Sequence, residues 1–325
     1  MRELSYGHAI NEAHAQLMEN DERVFMIGQG FESPWSVGAS TLGLTERFGK
    51  DRVIDPPVAE NAMTGLGVGA ALAGLRPIVV HPRMDFAYLA MDQIFNHAAK
   101  WNYMFGGAVN CPLTVRLIIN KGNEQAAQHS QCLQSIYAHI PGLKVVMPGT
   151  PYDAKGLLTA AVEDDNPVIY IDDRWLYSLL GDVPEEYYTS KIGQGEIRRK
   201  GSDITVVTYS YMLHESLKAA EILSPEGIDL EIIDLRTIKP LDIGLVLKSV
   251  RKTKKLIIAD GNNVTCGIGA EIAAKVVETD LVHILEAPIK RVSFPDTPAP
   301  AATTLEKEYY TDQSNIVKAA RELTQ

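Results

Sequence analysis

One glutamate stands at a point of the sequence where its carboxyl group could carry out acid–base chemistry. Glu60 ends the proline-bearing stretch Asp55-Pro-Pro-Val-Ala59 and begins a glycine-rich stretch. A buried carboxyl group there could share a proton with a ring nitrogen of a bound molecule, because burial and neighbouring groups set its pKa. The alternative is a solvated glutamate that stabilises the N-terminus of a helix.

Two histidines are further candidates. His81, Arg83 and Asp85 stand where a predicted strand ends and a helix begins, and parallel α/β sheets bind ligands at the carboxyl ends of their strands. A histidine there can titrate near neutral pH and serve as an acid or a base. His129 lies in a stretch without clear periodicity. For both histidines, ordinary hydrogen bonds within a loop are the alternative. The chain contains no Gly-x-Ser-x-Gly sequence, so a hydrolase triad has no support.

The stretch Gly65-Leu-Gly-Val-Gly-Ala70 matches the spacing of a dinucleotide-binding loop. Such a loop follows a strand and opens a helix, whereas these glycines are predicted to lie inside a helix. Because glycine weakens a helix by about 1 kcal/mol relative to alanine, we expect a small-residue packing face that another backbone approaches closely. The pair Gly267 and Gly269 indicates a strand-to-helix turn or a helix start near an anion.

Short β-branched runs alternate with helical patterns along the chain, which predicts an α/β fold with parallel strands covered on both faces. The predicted strands are Val24–Gly28, Arg52–Ile54, Pro77–His81, Leu113–Ile119, Lys144–Met147, Val168–Asp172, Ile204–Tyr209, Asp229–Asp234, Lys255–Asp260 and a run around Arg291–Val292. The predicted helices are Ser5–Asn20, Asp85–Trp101, Asp153–Asp164, Leu213–Leu223, Ile243–Val250, Gly269–Val277 and Ile316–Leu323.

A stretch that mixes Gly, Pro, Tyr and charge without periodicity, Trp175–Gly201, separates two such alternations. We therefore predict a first domain over residues 1–182, a linker over residues 183–202 and a second α/β domain over residues 203–325. The total of 325 residues suits two domains of ordinary size.

Composition narrows the range of partners. Lys and Arg number 31 against 41 Asp and Glu, a net charge of −10, which opposes binding to nucleic acid or an anionic membrane. The three cysteines are odd in number and far apart, so a reducing, cytoplasmic location is predicted. Neither a membrane-spanning helix nor a signal peptide is expected.

Ten short motifs in one order resemble a known family. They are Ile54-Asp-Pro-Pro-Val-Ala-Glu60, Ala73-Gly-Leu-Arg-Pro77, Met91-Asp-Gln-Ile94, Tyr103-Met-Phe-Gly-Gly107, Ala127-Gln-His-Ser-Gln131, His139-Ile-Pro-Gly-Leu-Lys-Val-Val-Met147, Pro151-Tyr-Asp-Ala-Lys-Gly-Leu157, Asp165-Asn-Pro-Val168, Val183-Pro-Glu-Glu186 and Ile233-Asp-Leu-Arg-Thr237. The chain resembles the beta subunit of the thiamine-diphosphate-dependent first component of 2-oxo acid dehydrogenase complexes, over nearly its whole length.

The resemblance implies a pyrimidine-binding α/β domain followed by a transketolase C-terminal-like α/β domain. It also implies an alpha subunit as partner in an α2β2 heterotetramer, with thiamine diphosphate held between subunits, and a dihydrolipoyl acyltransferase as a further partner. The diphosphate and Mg²⁺ ligands are expected from the alpha subunit. Their Gly-Asp-Gly and distant Asn are missing here, and Asp260-Gly-Asn-Asn263 compresses similar letters into too short a loop.

By position, the resemblance assigns roles to three side chains. Glu60 falls on the glutamate that binds N1′ of the aminopyrimidine ring, Phe86 on the aromatic residue that packs on that ring, and His129 on the histidine that faces the substrate and the incoming lipoyl group. Proton sharing at N1′ favours the imino tautomer, which takes the thiazolium C2 proton. The resulting carbanion attacks the 2-oxo carbon, CO₂ leaves from that adduct to give an enamine, and the acyl group then passes to the lipoyl group.

The resemblance further implies a structural K⁺ site at positions whose backbone carbonyls would dominate the coordination: Leu113, Ala161, Asp164 and Asn166.

Two segments depart from the family pattern. The glycine-rich loop that many relatives carry before Gln-His-Ser is bulkier and more polar here, Leu117–Gln125, and His81-Pro-Arg-Met84 replaces largely apolar residues. His81, Arg83 and Lys121 are therefore candidate ligands of a polar or anionic substrate. As alternatives, Arg83 pairs with Asp85 or with a carboxylate of another subunit, and Lys121 is solvated.

These departures leave the reaction open. The leading hypothesis is the acyl-transferring 2-oxo acid dehydrogenase. A two-subunit transketolase-like or carboligating thiamine enzyme without a lipoyl partner is the first alternative. A non-catalytic scaffold subunit is the second, which the joint presence of Glu60, Phe86 and His129 opposes.

Overall fold

The computed structural model describes residues 2–34 and 36–324, which fold as two compact units. The first comprises the chain up to Lys121 together with Ile136–Ile192, and the second comprises Gly122–Ser135 and the chain from Gly193 onward. The change at residues 192 and 193 falls inside the predicted linker. Residues 122–135, which the sequence placed in the first domain, group with the second unit. Met1 and Gln325, the outer limits of the predicted domains, lie outside the described residues.

The first unit is built on parallel strands whose residues are almost all buried, as their apolar runs predict. Its strands are β1 (Arg2–Ser5), β2 (Val24–Gly28), β3 (Val53–Ile54), β4 (Arg76–His81), β5 (Thr114–Ile119), β6 (Lys144–Val146), β7 (Val168–Asp173) and β8 (Leu180–Val183). Six of them lie in the order β6-β7-β5-β4-β2-β3, all parallel. β1 and β8, which the sequence did not reveal, form a separate antiparallel pair.

Helices and short helical turns lie between these strands along the chain, and one of them, at residues 126–129, belongs to the second unit. They are α1 (Tyr6–Asn20), α2 (Leu44–Phe48), α3 (Glu60–Leu72), α4 (Ala99–Met104), α5 (Ala126–His129), α6 (Gln134–His139) and α7 (Pro151–Glu163), with a 3₁₀ turn at Arg174–Leu176. Helix α7 begins where the sequence signals a start, because Thr150 accepts a hydrogen bond from the Asp153 amide and Pro151 occupies the first turn. No helix in the described ranges is both long and apolar enough to cross a membrane.

The prediction of one continuous helix over Asp85–Trp101 is wrong. Met84–Ala90 forms 3₁₀ turns, Asp92–Ala98 forms a π-helix, and only the last part is α-helical. Gln93 of the π-helix lies against Gly65 of α3, where an added Cβ would come within 3.3 Å of its side-chain oxygen. Packing against α3 has therefore overridden the local 3.6-residue pattern.

The glycines of α3 do lie inside a helix, as predicted. A Cβ added to Gly67 would lie 2.5 Å from Cγ2 of Val79 on β4. The close neighbours of Gly65 and Gly67 within the chain are side chains, rather than the backbone that the sequence led us to expect. Glycine is required at Gly67 because any larger residue would push α3 away from the sheet.

The second unit has its own sheet and core. Its strands are β9 (Glu196–Arg199), β10 (Ile204–Thr208), β11 (Leu230–Asp234), β12 (Thr237–Lys239), β13 (Leu256–Asn263) and β14 (Lys290–Phe294). Five lie in the order β14-β13-β10-β11-β9, and only the edge strand β9 is antiparallel. The helices are α8 (Tyr211–Leu223), α9 (Ile243–Thr253), α10 (Ile268–Val277), α11 (Thr303–Tyr309) and α12 (Gln313–Thr324), with 3₁₀ turns at Ser224–Glu226 and Asp280–His283. Apolar residues of α8 and α12 close the core over β10, β11 and β13.

Candidate active site

The carboxyl edge of the first-unit sheet collects polar side chains from three neighbouring strands. β4 ends at His81, β5 is followed by Asn120 and Lys121, and β7 ends at Asp173. Because β4, β5 and β7 are adjacent and parallel, these ends meet at one edge of the sheet, where α/β proteins bind ligands. The Arg174 guanidinium, directly after β7, donates to the side-chain oxygen of Asn120 at 2.6 Å.

Glu60 is the first residue of α3 and is buried. The preceding prolines cannot continue a helix upstream, and Ala59 at the N-cap position makes no side-chain cap hydrogen bond. The Glu60 side chain is only 7 % exposed, so the solvated alternative is wrong. Within the described residues its carboxylate has no hydrogen bond or ion pair. A buried carboxyl group without a partner is costly, and it is therefore a candidate for binding a group from outside the chain.

His81 connects the end of β4 to α3. Its Nε2 lies 3.1 Å from the hydroxyl oxygen of Thr64, one helical turn after Glu60. Burial lowers the pKa of His81 to about 4, so the ring is neutral at pH 7. The expectation that His81 titrates near neutral pH is wrong. Its Nδ1 is buried without a hydrogen-bond partner, which leaves one ring nitrogen for a neutral hydrogen bond.

Arg83 and Phe86 lie on the turn that follows β4. Both are half-buried, and the Phe86 amide donates to the Arg83 carbonyl oxygen at 3.3 Å. Burial and the nearby charge of Arg174 lower the pKa of Arg83, while Asp85 opposes that shift. Two guanidinium groups are thus close enough to repel each other, and such a place favours an anion. The negative charge of Asp85 raises the pKa of Arg83, whereas the pairing of Arg83 with Asp85 stays a prediction.

Lys121 is neither solvated nor available in the way the sequence suggested. It is 3 % exposed and forms an ion pair with Asp173, which is equally buried. The ammonium group also lies 4.5 Å from the centre of the Trp175 ring. Asp173 additionally accepts a hydrogen bond from the Trp175 amide at 3.0 Å. A substrate would have to break this buried pair to reach Lys121, which favours a structural role.

His129 is the last residue of α5 and is half-buried. It belongs to the second unit, whereas the other candidates, Glu60, His81, Arg83, Phe86 and Lys121, belong to the first. The loop before it carries positive φ angles at three residues other than glycine, Asn123, Glu124 and Ala126. The first unit therefore holds the predicted cofactor-binding residues and the candidate substrate ligands, and the second holds the predicted substrate-facing histidine.

The predicted K⁺ positions lie around the end of α7 and the start of β5. Leu113 contributes its carbonyl oxygen to the Val168 amide at 3.0 Å, and Ala161 is in α7. The Asn166 amide donates to the carboxylate of Asp164 at 2.9 Å. Two cations already face this turn. Arg76 donates to the carbonyl oxygens of residues 162 and 164 at 2.9 and 3.2 Å, and Lys144 pairs with Asp164.

The glycine pair of the second unit is a strand-to-helix turn with its own anion. The amide of Gly269, in the first turn of α10, donates to the Asp260 carboxylate at 2.9 Å, and the Tyr209 hydroxyl donates to the other oxygen of that carboxylate. Asp260 and Asn262 are buried residues of β13. The described residues contain no cluster of three or more His, Cys, Asp or Glu side chains suited to a metal.

Several residues of the site were missed by sequence reasoning. Thr64 carries the contact to His81, and its spacing of four residues from Glu60 on one helix was the available signal. Asp173 and Arg174 follow a predicted strand in the same way as His81 does. Asp55 accepts hydrogen bonds from the amides of Gly30 and Glu32 at 3.1 and 2.9 Å, a loop contact that no local pattern shows.

Comparison with known proteins assigns each unit to a protein family. The family described as the transketolase pyrimidine-binding domain matches residues 2–178, and the family described as the transketolase C-terminal domain matches residues 193–316. A solved structure titled "Split gene transketolase, inactive beta4 tetramer" superposes with a TM-score of 0.77 at 21 % identity, covering 99 % of this chain and 98 % of the other. This likeness shows the shared fold.

Curated relatives are similar over the full length. The beta subunit of acetoin:2,6-dichlorophenolindophenol oxidoreductase of Cupriavidus necator is 44 % identical over 98 % of this chain and 97 % of its own. The 2-oxoisovalerate dehydrogenase subunit beta of Bacillus subtilis is 42 % identical over 100 % of both chains. The pyruvate dehydrogenase E1 component subunit beta of Rickettsia felis is 42 % identical over 99 % of this chain and 98 % of its own.

Proposed function

Because the chain belongs to the transketolase-like family of 2-oxo acid dehydrogenase beta subunits, we propose that it is the catalytic beta subunit of a two-subunit, thiamine-diphosphate-dependent enzyme. The reaction is the decarboxylation of a 2-oxo acid and transfer of the acyl group to a lipoyl acceptor. The relatives are named as acetoin, 2-oxoisovalerate and pyruvate enzymes. Their similarity to this chain extends over both of its units.

The observation that carries the proposal is the buried, unpartnered carboxylate of Glu60 at the start of α3. A cofactor ring with a protonatable nitrogen would supply the partner that this carboxylate lacks within the described residues. When bound, thiamine diphosphate supplies a carbon nucleophile and an electron sink for decarboxylation. The Glu60 carboxylate therefore fits the pyrimidine end of this cofactor.

Each residue of the first unit has a defined task in this proposal. Glu60 holds and returns a proton at N1′ of the aminopyrimidine ring. Phe86, on the turn after β4, gives that ring an apolar face. His81 is neutral, and its bond to Thr64 fixes the first turns of α3 relative to the end of β4. In this way His81 keeps the Glu60 carboxylate in place.

His129 lies on the second unit and is assigned the substrate side of the site. An imidazole ring can both donate and accept a hydrogen bond, which suits a group that faces the 2-oxo acid and the lipoyl acceptor. Arg83, beside Arg174, is proposed to attract the negative charge of a substrate.

The partners follow from what this chain lacks and what its relatives are. Subunit beta in each relative's name indicates an alpha subunit, which we propose supplies the diphosphate and Mg²⁺ ligands in an α2β2 heterotetramer. A dihydrolipoyl acyltransferase would accept the acyl group. K⁺ at residues 113, 161, 164 and 166 remains a proposal, as does a cytoplasmic location.

A carboligating or transketolase-like enzyme without a lipoyl partner is the second candidate. Arg83 and its neighbour Arg174 favour it, because two cations at the substrate edge suit a more anionic substrate than a short apolar 2-oxo acid. The buried pairing of Lys121 with Asp173 removes one of the three groups on which this candidate first rested.

Reconstitution with an alpha subunit tests the proposal. The complex is expected to release CO₂ from at least one of pyruvate and the branched 2-oxo acids, and to acylate a lipoyl domain. Carboligation of aldehydes without acylation would favour the second candidate. The chain alone is expected to bind thiamine diphosphate weakly or not at all in titration calorimetry, and micromolar binding without a partner would contradict the divided site.

A further inference from the structure

The loop that carries His129 is held in a backbone conformation that its own sequence disfavours. Asn123, Glu124 and Ala126 have φ angles of +53°, +60° and +59°. Residues other than glycine rarely adopt such positive φ angles, and this conformation persists only where the surrounding structure imposes it. The contacts that impose it therefore also decide where His129 lies.

Helix α11 and the residue after it supply those contacts. The Gly122 amide donates to the Tyr310 hydroxyl oxygen at 3.1 Å, and the Glu124 amide donates to a carboxylate oxygen of Glu306 at 2.9 Å. The Thr303 hydroxyl donates to the carboxylate of Glu124. Glu306 is only 8 % exposed, and its bond to a backbone amide is charge-assisted.

The end of α11 is fixed to the second-unit sheet. Phe294, the last residue of β14, has its ring centre 5.5 Å from that of Tyr309 and 5.3 Å from that of Tyr310. The two tyrosine rings lie edge to face at 4.9 Å. The Tyr309 hydroxyl donates to the Thr297 carbonyl oxygen at 3.1 Å. The contacts on the loop are thus made from a rigid base.

The other end of the segment is attached to the same unit. Gln134 donates to the Tyr209 hydroxyl oxygen at 3.3 Å and to the Gly261 carbonyl oxygen at 3.2 Å. Asn262 donates to the Ser135 hydroxyl oxygen at 3.1 Å. His129 lies between these two attachments, so the strained first half is the part whose geometry depends on α11.

We infer that Glu306 and Tyr310 are positioning residues that hold the His129 loop in its working conformation. The inference rests on the proposed function, because the strained loop conformation matters for catalysis only if His129 acts on substrate. Glu306 itself acts through the Glu124 amide. A hydroxyl or carboxylate acceptor at the loop's start keeps the positive φ angles that place α5 and its terminal histidine.

The test compares three single variants in the enzyme reconstituted with its alpha subunit. Glu306→Leu removes the acceptor and is expected to lower kcat about tenfold, equivalent to about 1.4 kcal/mol, with KM changed less than twofold. Glu306→Gln keeps an amide oxygen that can accept the same hydrogen bond and should retain most of the rate. Glu308→Leu, an exposed glutamate of the same helix, is the matched control and should behave as wild type.

A double-mutant cycle with His129→Ala separates positioning from general stability. If Glu306 acts through His129, Glu306→Leu should cost little more once the imidazole is gone. Equal losses in both backgrounds would overturn the inference, as would a full rate for Glu306→Leu when His129→Ala is slow. A full rate for His129→Ala would instead contradict the proposed role of His129. Should Glu306→Leu fail to fold, Tyr310→Phe replaces it in the cycle, with an expected loss of about threefold.

Discussion

The two sheets of this chain end in similar polar residues but use them differently. In the second unit, Asp234 at the end of β11 accepts hydrogen bonds from the Arg236 amide at 3.1 Å and from Arg198 at 3.2 Å. Asp260 of β13 is used in the same way by Tyr209 and the amide of Gly269. Both carboxylates therefore accept hydrogen bonds from backbone amides and side chains of their own unit.

In the first unit, some buried polar side chains have no hydrogen-bond partner among the described residues. Lys121 and Asp173 neutralise each other, as the groups of the second unit do. Glu60 and Nδ1 of His81, in contrast, are buried without partners among the described residues. Unsatisfied buried groups cost stability, and a bound molecule would supply the partners that Glu60 and His81 lack. The position of a polar residue at a strand end indicates a possible site, and only the count of its partners distinguishes a binding residue from a structural one.

The largest effect is expected where the first unit differs most from the second. Glu60→Gln keeps the shape of the side chain but not its ability to hold a proton at N1′. Turnover of the reconstituted enzyme should fall by about 10²–10⁴-fold with the thermal midpoint of unfolding unchanged or raised, because a buried charge is removed. Glu46→Gln, in the first turn of the short helix α2, is the control. Near wild-type turnover would remove Glu60 from the mechanism.

Lys121 tests whether the paired groups of the first unit are structural. Lys121→Met leaves Asp173 buried and unpaired, so the free energy of unfolding should fall by about 3–5 kcal/mol in urea titrations at pH 7. Arg251→Met breaks the exposed pair with Asp280 and should cost about 0–1 kcal/mol. A stable Lys121→Met protein with a selectively raised KM would show that Lys121 binds substrate after all.

The same contrast explains which features the sequence could predict. Strands such as β5 and β7 are evident because their apolar runs are buried on both faces, a local property of the chain. The 3₁₀ and π turns over residues 84–98 pack against helix α3, a tertiary contact that no local period encodes. The attachment of the loop before His129 depends on Tyr310, nearly two hundred residues away. The family resemblance suggested Glu60, Phe86 and His129 as candidate site residues, whereas their burial and their partners came only from the structure.

His81 offers a smaller test based on pH. Its pKa in the folded protein is about 4, below the ordinary 6.5, so the unfolded chain binds more protons between those values. Stability from this residue is therefore fully present above pH 6.5 and is lost as the pH falls to 4, by about 3 kcal/mol. His81→Gln should flatten that part of the profile of unfolding free energy. His14, whose pKa burial lowers to about 3, remains in both proteins, so the difference isolates His81. Parallel profiles would mean that His81 is solvated in solution.

The role of Arg83 decides how far the carboxyl edge of the first-unit sheet differs from that of the second-unit sheet. It is half-buried beside Arg174, and both burial and that second cation lower its pKa, so the fold maintains a charge in an unfavourable place. If Arg83 binds substrate, Arg83→Met should raise KM for polar or anionic substrates. Losing one charge-assisted contact costs about 1.5–3 kcal/mol, roughly tenfold or more in kcat/KM.

A substrate panel separates the two roles of Arg83. Pyruvate and branched 2-oxo acids should lose much less than phosphorylated sugars, because their own carboxylate is held elsewhere in both proteins. Arg47→Met, which removes an exposed arginine paired with Glu19, should change none of the constants. If Arg83→Met costs every substrate equally, then Arg83 and Asp85 form a structural pair like those of the second unit. Glu60 and His81 would then remain as the polar candidate binding groups of the first unit, and the short apolar 2-oxo acids would be the favoured substrates.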